Sequence, residues 1–261
     1  MNTLESIHSH SLSRFDDAAI FLLPFWPCVD LARPTIDNYV EDLNKQAGIT
    51  VTVEDLFVTA DDLCQNGLAY FGDNDPSFCY LHPTLHLHFS KHQMAQQMPN
   101  IQAGYLAHYN SYAEWLLYNW RSEDPDDQKV AEWIASREHI NFSRAAKLAV
   151  QRHESDLMLR SVGSRYYFSK GDQANFLGLC LKRRKLYQKQ FSDGICPPEL
   201  VEGWIALLTD IGVCYRQLAQ LEMAGKFYRQ ALELATREIT RFPQLEKILT
   251  ILSQNLTAVE P

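Results

Sequence analysis

Three features of the sequence predict a mainly α fold. Apolar residues recur at helical spacing through most of the 261 positions. One interval, residues 68–81, breaks that rhythm with two β-prone runs about a turn containing Gly72 and Pro76. From Tyr105 onward the helical rhythm returns, interrupted by short polar or Gly/Pro links.

Taken in order, Asp16 to Phe25 reads as a helix entered through acidic residues and stopped by proline. Residues 34–43 form a second, with Ile36, Tyr39, Val40 and Leu43 on one face, before Gly48 breaks the pattern. Val53 to Asn66 is a third, carrying Leu56, Phe57, Ala60 and Leu63 and ending at Asn66-Gly67. Residues 68–71 and 77–81 read as the strands of a hairpin, and His82-Pro83 opens a new helix, where proline suits the first turn. Helices, hairpin, helix is the layout of a winged-helix domain, expected over residues 1–103.

Residues 104–261 read as consecutive helices. Tyr109, Tyr112, Ala113, Leu116, Leu117 and Trp120 keep one period, and Arg121 to Asp127 is a polar link containing Pro125. Helices follow over residues 129–150, 157–168, 173–191, 199–219, 222–242 and 244–256, with breaks at Gly171-Asp172 and from Ser192 to Pro198. Ile211-Gly212-x-x-Tyr215, then Ala224, Tyr228 and Ala231, matches the tetratricopeptide pattern. Its small residues stand where paired helices cross closely. Val162-Gly163-x-x-Tyr166 repeats the first half, whereas Asn175 and Lys182 occupy positions where small residues are usual. The fold class expected is thus a winged-helix-like domain with a small β-hairpin, followed by a tetratricopeptide-like α-solenoid.

Three stretches carry a resemblance to a known arrangement. Asp62-Leu63-Cys64-Gln65-Asn66-Gly67-Leu68, Tyr80-Leu81-His82-Pro83-Thr84-Leu85 and the run from Glu138 to Ala146 resemble the region after the nucleotide-binding domain of STAND (NB-ARC-like) signal-transduction ATPases. No G-x-x-x-x-G-K-[ST] phosphate loop accompanies them. The resemblance therefore implies the sensor and regulatory part of such a protein without its motor.

Composition narrows the function. A formal net charge of -8 disfavours a general nucleic-acid binder, because that affinity comes from basic residues displacing phosphate counterions. Glu54, Asp55, Asp61 and Asp62 on the helix that would enter a DNA groove act the same way. The cysteines form no C-x-x-C pair, the first residues do not read as a secretory leader, and no apolar run reaches a membrane span. A reduced, cytoplasmic setting is expected.

Four histidines, His82, His86, His88 and His92, crowd into eleven residues. On one helix they point to two faces, so a shared metal is not expected; His82 is instead expected to hydrogen-bond the first turn of the following helix. Lys182-Arg183-Arg184-Lys185 reads as a solvated helix face. Trp115, Tyr118, Trp120 and Trp133 read as interhelical core. No nucleophile motif or acid–base pair stands out, so neither catalytic residues nor a cofactor are expected.

A noncatalytic sensor or scaffold is the expectation, binding a protein or peptide, and neither nucleic acid nor membrane. Its groove would take Thr209, Val213, Arg216 and Gln217 from the clear repeat and Arg160, Ser164, Tyr167 and Phe168 from the weaker one. Arg160 and Arg216 would grip a carboxylate. A regulatory subunit acting on another chain's ATPase is the alternative, and an enzyme with a site assembled from distant residues a further one. Few repeats predict an apolar edge between Glu222 and Leu256, and with it self-association or a bound partner there.

Overall fold

The computed structural model describes residues 19–25, 27–48, 50–73, 75–85 and 98–259. They are mainly α-helical, with a small three-stranded antiparallel sheet near the N-terminus. The chain divides into two compact units, residues 1–111 and 112–261.

In the first unit, α1 (Ala19–Leu22) runs into a 3-10 turn, Leu23–Phe25, and then into strand β1, Cys28–Asp30. The sequence reading missed β1. A three-residue strand is too short to show alternation, and its partner lies some fifty residues further on. Helix α2 spans Arg33–Ala47 and α3 spans Val53–Gln65; β2 (Ala69–Gly72) and β3 (Asp75–Leu81) form the expected hairpin. The sheet order is β1-β3-β2, with Val29 opposite Cys79 and Tyr70 opposite Tyr80.

Local chemistry fixes these boundaries. Gly48 ends α2 at φ 63°, and the Asn44 amide bridges the turn by exchanging two hydrogen bonds with Val51. Thr52 and Asp55 form a reciprocal capping box at the start of α3. Residues 83–85 are helical, and the backbone N–H of Thr84 donates to the His82 ring, as expected. His86, His88 and His92 lie outside the described residues.

An aromatic knot fills this unit. Phe25 meets Tyr39 and Tyr105 edge-on, with ring centroids 4.7 and 5.0 Å away. Helix α4, Met98–Asn119, approaches α2 so closely that a Cβ on Gly104 would sit 2.9 Å from the Leu43 Cα. His108 is buried beside Tyr39 and Tyr109. Its Nδ1 stands 3.8 Å from an Asp42 carboxylate oxygen, yet burial prevails and pushes the imidazole down to about 3.

In the second unit, α5 (Pro125–Gln151), α6 (Leu157–Ser169), α7 (Gln173–Lys189), α8 (Val201–Gln217), α9 (Leu221–Glu238) and α10 (Leu245–Thr257) follow one another. Pro125 belongs to α5 rather than to a linker. It occupies the first helical turn behind Asp124, whose side chain accepts from the Asp126 N–H at 2.8 Å. Neighbours in sequence pack on one another through α9 and α10, and the core runs through Ile205, Leu208, Ile211, Phe227, Tyr228 and Leu252.

Gly212 lies against the Tyr228 ring: a Cβ there would come within 2.5 Å of it. Gly163, in the stretch Val162-Gly163-x-x-Tyr166, has only Phe176 nearby, at 3.9 Å. Leu245, Ile248, Leu249, Leu252 and Leu256 of α10 turn toward the core, so the apolar edge expected there reduces to Ile251.

Three substitutions probe these packings. His108 binds its proton in the unfolded chain near pH 6.5 but not in the folded one until about 3. Its contribution is complete above pH 6.5 and falls by ~1.4 kcal/mol per pH unit below it. Denaturant titrations at pH 7.5 and 5.0 should therefore show the wild type losing about 2 kcal/mol more than His108→Gln does over that interval. Gly212→Ala should cost ~1–3 kcal/mol by overpacking against Tyr228. Gly178→Ala, on α7 with nothing within 4 Å, should gain up to ~1 kcal/mol from helix propensity.

Candidate interaction surface

The residues expected to line a ligand groove have four different fates in the second unit. Arg160 is 2 % exposed, its guanidinium turned into the protein. Arg216 donates from Nη1 to the Asn255 side chain on α10 at 3.0 Å. Thr209 returns its hydroxyl to the Ile205 carbonyl. Tyr167, Phe168 and Val213 are half-buried against the core, Ser164 is half-buried, and Gln217 is exposed. The two arginines are thus engaged within the chain, one of them beyond the reach of a surface ligand.

Arg160 belongs to a buried ionic cluster drawn from three helices. Asp156, the N-cap residue of α6, turns its carboxylate inward instead of capping. One oxygen accepts the Tyr187 hydroxyl from α7 at 2.7 Å; the other lies 3.6 Å from Arg183 Nη1 and 3.9 Å from Arg160 Nε. Arg160 Nη1 stands 3.4 Å from Asp210 on α8. These ionic separations exceed hydrogen-bond length, so charge attraction rather than a fitted fork holds the arginines.

Burial opposes the charge on Arg160, but Asp156 and then Asp210 more than offset it, and its pKa ends raised. Burial lifts the Asp210 carboxyl above its ordinary range, with Arg160 pulling the other way. Two carboxylates and two guanidiniums balance, leaving no net charge to attract a ligand. Gly203 on α8 makes room for the arrangement: a Cβ there would collide with the Tyr187 hydroxyl and come 3.1 Å from an Asp156 oxygen.

The basic run resolves accordingly. Arg183 is buried in the cluster and also donates to the Ser143 carbonyl at 3.3 Å, and Arg184 lies over the Phe227 ring at 5.5 Å. Lys182 and Lys185 alone are exposed, so the run is no solvated face. A signal was present: Phe176, Cys180, Arg183 and Tyr187 recur at spacings of four, three and four, which places Arg183 on the inward seam of α7.

The aromatics expected in the interhelical core are mostly outside. Trp120 is buried, with the Arg165 guanidinium 4.9 Å from its ring centroid. Trp115 and Tyr118 at the end of α4, and Val130, Trp133 and Ile140 on α5, are exposed. Tyr112 links the two helices by touching both Trp115 and Phe142. Helix α5 already buries Ala131, Ala135, Phe142, Ala145, Ala146 and Ala149. Its second apolar stripe therefore has no core left to enter.

Elsewhere in this unit an open cleft of about 410 Å³ is lined by Phe191, Cys196, Trp204, Leu208, Leu234 and Arg237, among others. Burial pushes its Cys196 thiol up to about 12, and Arg237 is paired with Glu238 at 3.0 Å. No group of three or more potential metal ligands occurs among the described residues, and no described helix is long and apolar enough to cross a membrane.

Comparison of the chain with protein-family models, with curated proteins and with solved structures finds no match.

Arg160→Ala tests the cluster. It removes one of the two guanidiniums beside the buried Asp156 carboxylate, which is also the one beside Asp210, and should cost about 3 kcal/mol in urea denaturation, whatever ligand is present. Gln217→Ala, at an exposed site, should change stability by less than ~0.5 kcal/mol.

Proposed function

We propose that this chain is a noncatalytic protein-interaction module working in the cytoplasm. In this reading the first unit is a winged-helix-like domain and the second a tetratricopeptide-like stack, the pair that STAND ATPases carry behind their nucleotide-binding domain. One observation carries the proposal: Trp115, Tyr118, Val130, Trp133 and Ile140 are exposed on two linked helices. Exposed aromatic and aliphatic surface of this kind marks association sites.

The chemistry of the interior supports the same reading. The charged cluster is neutral overall and engaged within the fold. Burial raises Cys79, Cys196 and Cys214 to about 12, and they stay thiols rather than nucleophilic thiolates at neutral pH. A second reading, a regulatory subunit docking on another chain's ATPase, draws on α3, where exposed Val58 stands among Glu54, Asp55 and Asp61.

The test is the affinity for a partner recovered by cross-linking. Trp115→Ala/Trp133→Ala should weaken binding by about 30-fold or more, the usual cost of losing buried aromatic anchors, while unfolding free energy shifts by less than ~1 kcal/mol. Unchanged affinity would remove this surface from the proposal.

A further inference from the structure

Along α5 the residues Asp126, Val130, Trp133, Arg137, Ile140, Arg144 and Lys147 recur at alternating spacings of four and three. That is the spacing of one continuous helix–helix seam. Three of its members are large and apolar, with Val130 47 %, Trp133 58 % and Ile140 44 % exposed. The Arg137 guanidinium lies over the Trp133 ring, 4.6 Å from its centroid. The face that binds α5 to its own unit is separate and already filled.

The charges on this seam are sorted along its length. Asp126 stands at its start, bridged to Lys129 at 2.9 Å, with Glu123 just before; Arg144 and Lys147 stand at its end. A partner helix must therefore be acidic at one end and basic at the other, with an apolar middle. A uniformly basic helix would satisfy the acidic end and be repelled by Arg144 and Lys147. Helix α5 itself, turned end for end, meets the requirement.

Resting on the interaction reading above, we propose that the partner is a second copy of this chain, paired antiparallel through α5. In that register Val130 faces Ile140 of the other copy and Trp133 faces Arg137, which lies against the indole as a cation–π pair. Asp126 faces Arg144, and Glu123 faces Lys147. Every pair occurs twice, as two-fold symmetry demands, and the contact closes on itself instead of growing into a fibre. A single pair of helices is a small interface, so the expected dissociation constant is on the order of 1–100 μM.

The full chain is followed by sedimentation equilibrium from about 1 to 300 μM, a range set by that expectation. The wild type should pass from monomer to dimer, and Trp133→Glu should weaken the dimer at least tenfold. Orientation is read by copper–phenanthroline oxidation. A mixture of Val130→Cys protein and Ile140→Cys protein should give disulfide-linked dimer beyond the wild-type background, and neither variant alone should.

Dimer formation indifferent to Trp133→Glu would overturn the proposal, as would Val130→Cys alone cross-linking as readily as the mixture. A chain monomeric throughout also overturns it. If such a monomer still loses a different protein on Trp115→Ala/Trp133→Ala, the self-pairing fails and the interaction reading stands. If it binds that protein regardless, both fail.

Discussion

Helices α6, α7 and α8 cannot move far relative to one another without disturbing the Asp156 carboxylate. A buried charge is costly unless it is both paired and hydrogen-bonded, and the partners of this one come from two helices. The Tyr187 hydroxyl and Arg183 reach it from α7, and Arg160 from α6 one turn on. Gly203 lets α8 come close enough to cover it, and Asp210 on α8 balances the second guanidinium. Three helices are thereby held in one relative placement by a condition that apolar packing alone would leave loose. Leucines and alanines tolerate sliding; a carboxylate with one hydroxyl donor does not.

That constraint accounts for how the surface is divided. The arginines suited to receiving an acidic ligand are spent on the interior, Arg160 and Arg183 in the cluster and Arg216 on α10. Exposed large apolar and aromatic side chains gather on the end of α4 and on α5, at Trp115, Tyr118, Val130, Trp133 and Ile140. Recognition by such a surface depends on shape and burial of rings, with charge setting direction and register rather than most of the affinity.

Much of the fold was legible because its punctuation is local. Gly48, Gly67 and Gly171 stand at helix ends with positive φ, Gly194 stands in the turn between Ser192 and Ile195, and Thr52 with Asp55 announces α3. The Gly212–Tyr228 approach fits the expectation, drawn from the spacing of Gly212, Tyr215, Ala224 and Tyr228, that Gly212 stands where two helices cross closely. β1 was not legible, since three residues carry no period and its register comes from β3. Nor could the cluster be read, for it joins Asp156 to Asp210 across 54 positions through arginines that look like any others in the sequence. The exposed aromatics failed for a different reason. Helical spacing shows that a stripe exists, but when one helix bears two stripes the neighbours decide which is buried.

The proposed pairing of α5 with itself must also overcome the charge of the whole chain. Two copies, each with a formal net charge of -8, repel at long range, which would seem to forbid a homodimer. Distance resolves the conflict. At physiological ionic strength charges farther apart than about 8 Å are largely screened, so most of each copy's carboxylates do not feel the other copy. The seam pairs would stand within a few ångströms and be partly shielded from water by Trp133 and Ile140, where attraction survives. The sorting of charge along one helix then matters more than the total. Within that range the opposite signs at the two ends of α5 would lie against one another, and the distant excess of carboxylates would add little.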